Sequence, residues 1–184
     1  LPQAELVKDK GYEILYFTED VDEFVTKVMP VYKEKEFRSI SSDDLGLESE
    51  EEKEETKKQQ EENKDLFSAI KEALGDRITE VRLSGRLKNA ACCLTAKGPI
   101  SLEMERVLGT MPGEQKVKAE RVLELNPDHE IFPILQKLYP DDKETLADYA
   151  ELLYGQALIR EGMLPEDPAA FAAVLCRLME RKEK

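Results

Sequence analysis

The stretch DKETLADYAELLYGQALIREGMLPEDPAAFAAVLCRLMER, Asp142 to Arg181, decides the fold. Asp141, Asp142 and Glu144 place negative charge and capping oxygens where a helix N-terminus favours them. Leu146, Tyr149, Ala150, Leu153 and Ala157 then recur along one helical stripe, while Leu152, Leu158 and Ile159 occupy another side. A second helix opens with Asp167 as cap and Pro168 at its first position, and carries Phe171, Val174, Leu175, Leu178 and Met179. A helix that is apolar on more than one face packs inward and onto a neighbour at once. The pair therefore reads as a helical hairpin that forms a dimeric four-helix bundle with a second copy. The alternative is a monomer that tucks both helices onto its own sheet.

Upstream of the hairpin the period changes from helical to alternating. Ile78, Val81 and Leu83, then Ala90 to Thr95, then Val122, Leu123 and Leu125, read as three strands of a small sheet, with Ser84 to Asn89 joining the first two. A short helix lies between Pro99 and Met111, and another spans Glu130 to Leu138. Nearer the start, YEILYF (Tyr12 to Phe17) reads as a buried strand, Val21 to Met29 as an amphipathic helix, and Phe37 to Ile40 as a second strand, a partial β-α-β unit. So short a unit cannot bury a parallel sheet alone, and Leu1 falls inside what reads as a helix. A piece of a longer polypeptide is expected, in the α+β class. It divides into residues 1–46 as the tail of one domain, 47–65 as a charged linker that becomes a long helix, and 66–184 as a second domain.

Composition excludes several functions. Acidic residues outnumber basic ones 40 to 27, for a net charge of −13, which disfavours both a phosphate backbone and an anionic membrane. No apolar run reaches the length that spans a bilayer. Three cysteines, with Cys92 and Cys93 adjacent, make no disulfide framework and suit a reducing cytoplasm. His129 is the one histidine, so neither a cysteine–histidine nucleophile nor a paired-ligand zinc site is expected, and His129 itself suits a helix-start cap. Glycines occur singly, without the spacing of a phosphate cradle. No catalytic and no metal residues are assigned. Ile100, Met104, Val107, Leu108 and Met111 share one stripe of the short helix, which is either core packing or an exposed surface whose methionines accept varied partners.

Four strings in order, KGYEILYFTEDVDEFV (Lys10 to Val25), DRITEVRLSGRLKNAACCL (Asp76 to Leu94), LELNPDHEIF (Leu123 to Phe132) and LLYGQALIREGMLPEDPAAF (Leu152 to Phe171), resemble the bacterial branch of the ninety-kilodalton heat-shock chaperone family. The first string resembles the end of that family's middle domain, and the others its C-terminal dimerisation domain. The resemblance implies a homodimeric stress-response chaperone whose ATP and magnesium belong to an N-terminal domain outside this chain. It implies contact with unfolded or partly folded client proteins through Glu23 and Phe24, the aromatic standing where the family carries a tryptophan. It implies the same for the stripe Ile100, Met104, Val107, Leu108 and Met111, largely exposed. The hairpin residues Leu146, Tyr149, Leu152, Leu153, Ile159, Phe171, Val174, Leu175, Leu178 and Met179 would form the dimer interface. The chain ends in MERKEK, so docking of tetratricopeptide-repeat co-chaperones is not expected.

With no phosphate cradle in the sequence, the chain should neither bind nor hydrolyse ATP. Titration calorimetry checks this, and specific binding at micromolar affinity would contradict it.

Overall fold

A computed structural model describes residues 2–42, 45–110 and 117–181. Its centre is a three-stranded mixed sheet of β3 (Glu80–Leu83), β4 (Cys92–Lys97) and β5 (Glu120–Leu125), in the order β3-β5-β4. Strand β5 runs parallel to β3 and antiparallel to β4, in a register that aligns Val81 and Leu94 with Leu123. The three strands expected for this sheet are present, shifted by about two residues.

Strand alternation sends Val81, Leu83, Cys92, Leu94, Leu123 and Leu125 to one face, where they join a single apolar core. Helix α4 (Lys64–Leu74) brings Leu66, Phe67, Ile70 and Leu74 to that core, and α6 (Ile131–Asp141) brings Phe132 and Leu135. Helix α7 (Lys143–Arg160) packs against α4, α6, β4 and α8 (Pro168–Arg181). The opposite face of the sheet is polar at its centre. Glu124 is buried there and accepts from Arg82 at 2.5 Å, the Ser84 hydroxyl at 2.8 Å and the Thr95 hydroxyl at 3.2 Å. Arg86 completes the cage at 3.1 Å. A buried carboxylate is tolerated because two guanidinium groups and two hydroxyls replace its water.

Helix α3 (Glu50–Glu62) starts at a capping box, Ser49 accepting from the Glu52 amide at 3.2 Å and Glu52 from the Ser49 amide at 2.7 Å. The sequence predicts one long helix through this region. Instead Asn63 separates α3 from α4, its side-chain amide turned back to the Gln59 carbonyl at 2.8 Å.

The β-α-β reading of the first 46 residues is corrected. Only its helix forms, as α2 (Asp22–Val28). Tyr12 to Phe17 forms no regular element and is mostly exposed, because no strand runs beside it among the described residues. Phe37 to Ile40 forms no strand either, although the Phe37 amide donates to the Pro30 carbonyl at 2.9 Å. A hairpin of β1 (Val31–Tyr32) and β2 (Lys35–Glu36) precedes it, turning through Lys33 and Glu34 at φ 47° and 64°. The segment meets the sheet just past Ile40, through a bridge between Ser42 and Ala96 and the Ala96 amide donating to the Ser41 carbonyl at 3.1 Å.

Helix α1 (Ala4–Asp9) is held to the body by Gln3, whose Nε2 donates to the Leu94 carbonyl at 3.1 Å and to Glu161 Oε1 at 2.7 Å. Burial pushes the Glu161 carboxyl up from 4.5 to about 7, with the charge of Glu103 adding to it against the Gln3 hydrogen bond. The native state therefore holds a proton that the unfolded chain releases between about pH 4.5 and 7, so this group's contribution to stability is present below that window and lost as pH rises through it. Glu161→Gln should match the parent in melting temperature near pH 5 and exceed it near pH 8. Thermal denaturation at the two pH values checks the sign.

Candidate functional site

Two segments that the sequence reading treats separately meet in space. Helix α5 (Leu102–Thr110) begins after Gly98, at φ 76°, and Pro99, with the Ser101 hydroxyl accepting from the Met104 amide at 3.0 Å. The same hydroxyl donates to Glu23 Oε1 on α2 at 2.6 Å. Lys27 Nζ reaches the Pro99 carbonyl at 3.4 Å, and Arg106 pairs with Asp20 at 3.4 Å. On α2, Asp22 accepts from the amides of Thr18 and Glu19, both at 3.1 Å, which fixes the turn into the helix.

The resulting α2–α5 surface is rich in uncovered apolar groups. Val21, Val25, Val28 and Met29 are 41 to 86% exposed, and α2 buries no residue at all. Phe24, Met104 and Leu108 are half-buried on the same two helices, and Ile100, just before α5, packs against the main core. The expectation of a largely exposed stripe on α5 is corrected: Val107 is 2% exposed, and Ile100, Met104 and Leu108 are each partly covered. Leu102 and Glu105 are buried as well, and Val107 lies well round the helix from both, so α5 is covered on two sides. Met111 lies outside the described residues.

Glu105 anchors α5 to the sheet. Arg121 on β5 donates to its two oxygens at 2.7 and 3.1 Å, and the Ala119 amide adds a third bond at 3.1 Å. Arg121 also donates to the Tyr154 hydroxyl on α7. The side chains of Glu105 and Arg121 are only 10 and 11% exposed, so this two-pronged pair is little screened by solvent.

The second feature is the α7–α8 hairpin. Asp142 caps α7 by accepting from the Thr145 amide at 3.0 Å, and Asp167 caps α8 by accepting from Ala169 and Ala170 at 3.0 and 2.9 Å. Val174 and Leu178 seal α8 against α7, flanked by Arg177–Asp148 at 2.5 Å and Arg181–Asp142 at 3.1 Å. At Gly155 an added Cβ would lie 2.5 Å from the Phe171 ring, so the missing side chain is the seat of that ring. The interface assignment is corrected at Leu146 and Leu153, which sit in the molecule's own core, and at Val174 and Leu178, which are used within the chain. The wide apolar stripe of α7 is covered by α4, α6 and β4. Tyr149, Leu152 and Phe171 remain half-buried, while Ile159, Leu175 and Met179 are 51, 39 and 65% exposed. With Ala172 and Cys176 they leave α8 an open apolar face at three-and-four spacing.

Cys92 and Cys93 are buried packing residues. Burial pushes Cys92 up to about 12 and Cys93 well above its ordinary value, so both stay protonated thiols. His129 Nδ1 accepts from the Ile131 amide at 3.1 Å, which starts α6. Sequence reasoning missed Ser101 as the link between α2 and α5. Its signal was present, a hydroxyl residue placed after Gly98-Pro99 at a helix start.

Fold and site together define a helix-covered mixed sheet with open apolar groups on α2 and α8. The family model described as "Hsp90 protein" matches residues 1–184, and the chain belongs to that family. It is similar to the protein named "Chaperone protein HtpG" of Clostridium perfringens strain ATCC 13124, with 54% identity over 180 residues, 98% of this chain and 28% of that protein. Similarity to the protein of that name from Bacillus subtilis strain 168 is 50% over 179 residues, 97% of this chain and 29% of the relative. For Halalkalibacterium halodurans the identity is 52% over 179 residues. The chain thus spans a little over a quarter of the length of these relatives.

Gly155→Ala should displace Phe171 at a cost of about 1–3 kcal/mol, offset by about 1 kcal/mol of helix propensity. In a Phe171→Ala background the same substitution should become neutral or stabilising. A double-mutant cycle read by urea denaturation checks the change of sign.

Proposed function

We propose that this chain supplies the client-contact and homodimerisation surfaces of a cytoplasmic, ATP-driven heat-shock chaperone. Family membership and relatives named as chaperones support the class. The observation that carries the reading is the Ser101–Glu23 contact, which merges the two places the family resemblance assigns to clients into one apolar surface on α2 and α5. Unfolded chains expose apolar side chains, and each one buried against Val21, Val25, Val28 or Met29 is worth roughly 1.5–3 kcal/mol. Leu175 and Met179 on the open face of α8 are suited to a second copy's hairpin, completing a four-helix bundle. Nucleotide binding and hydrolysis belong to the part of the longer relatives that this chain does not span.

A second reading is a plain oligomerisation scaffold with α5 as a core element, and the burial of Val107 favours it. Two variants separate the readings. Leu175→Glu with Met179→Glu places charges where the bundle would close, over an interface on the order of 2,000 Å². It should be monomeric by light scattering at low micromolar concentration while the parent is dimeric. Val25→Ser with Val28→Ser should remain dimeric, keep its melting temperature within a few degrees, and bind an unfolded model client at least several-fold more weakly. Undiminished client binding would leave the scaffold reading.

A further inference from the structure

We propose that the α2–α5 surface selects apolar segments flanked by lysine or arginine, an inference that rests on the client-contact reading above. Residues 18–29 and 99–110 carry carboxylates at Glu19, Asp20, Asp22, Glu23, Glu103 and Glu105, against cations only at Lys27 and Arg106. Both cations are already engaged within the surface. Lys27 Nζ donates to the Pro99 carbonyl at 3.4 Å and Arg106 pairs with Asp20 at 3.4 Å. Arg121 neutralises Glu105 from beneath.

The remaining carboxylates are held by neutral donors. Glu23 accepts from the Ser101 hydroxyl at 2.6 Å, Glu103 from the Ser41 hydroxyl at 2.9 Å, and Asp22 from two backbone amides at 3.1 Å. Hydroxyls and amides orient a carboxylate without cancelling its charge. Glu19, Asp22 and Glu23 therefore form a negative rim with no cation partner among the described residues, on the helix that carries Val21, Val25 and Val28, while Glu103 is turned inward with its Oε2 buried. An apolar segment that brings its own cations gains on both counts. One that brings carboxylates is repelled by the rim and by a chain of net charge −13. Each exposed pair contributes little alone, but several charges within a Debye length of about 8 Å act together.

Three fluorescent peptides sharing one apolar centre, flanked on each side by two lysines, two serines or two glutamates, provide the test by fluorescence anisotropy. At about 20 mM salt the lysine-flanked peptide should bind roughly tenfold tighter than the glutamate-flanked one, and the gap should shrink to under about threefold near 300 mM. Glu19→Lys, with Glu19→Gln as the milder form, should narrow that gap while leaving the serine-flanked peptide within about twofold. Equal binding of all three peptides overturns charge selection and leaves the client reading standing. So does a gap that Glu19→Lys does not change, since the rim would not be its source. Failure of every peptide to bind, or binding indifferent to Val25→Ser with Val28→Ser, removes the client reading and this inference with it.

Discussion

Helix α7 has to be covered almost all the way round, and the rest of the structure follows from how that is done. Leu146, Ala150, Leu153, Tyr154, Ala157 and Leu158 are buried on one broad side, and Thr145, Asp148 and Gly155 are buried on the other. A helix of this kind is stable only between layers. The sheet, α4 and α6 supply one layer and α8 the other. Close approach is possible because Gly155 leaves room for Phe171, and because the Cys92 thiol fits beneath the helix with its hydrogen toward the Leu153 carbonyl at 3.3 Å.

The opposite side of the sheet is governed by charge rather than by apolar area. Glu124 stands in register with Arg82 on one neighbouring strand and Cys93 on the other. A slip of one residue would turn its carboxylate into the apolar core beside α7 and leave two arginines without their counter-charge. The buried cage thus penalises wrong pairings more than it stabilises the right one. A single carboxylate disciplines a sheet in which Val122, Leu123 and Leu125 would accept either face.

Both proposed contact surfaces hang from this frame. Glu105 ties α5 to Arg121 near the start of the central strand, and Arg121 reaches Tyr154 on α7, so the helix that meets α2 and the helix that carries α8 share one polar connection. Elsewhere α5 is joined to α2 mainly through Ser101, Lys27 and Arg106. A surface made this way is anchored at its base and open at its rim. That combination suits a partner of variable sequence, since the rigid part supplies the platform and exposed valines and a methionine supply undirected contact area.

The three sheet strands, α6, α7 and α8 were legible because each carries its own period and stops, such as Asp167-Pro168 at the start of α8 or Asn126-Pro127 after β5. Tyr12 to Phe17 carries an equally strong strand signal and forms no ladder, since a strand exists only where another lends it hydrogen bonds. Leu146 and Leu175 look alike as members of apolar stripes, yet one is core and the other lies open. Nor could spacing reveal that Ser101 would meet Glu23, a contact between residues 78 positions apart. The sequence by itself determined which segments favour helix or strand and which of their sides are apolar, because those properties repeat within a few residues. Only the tertiary structure decided which apolar side is covered, because covering is a competition among distant segments for one limited interior.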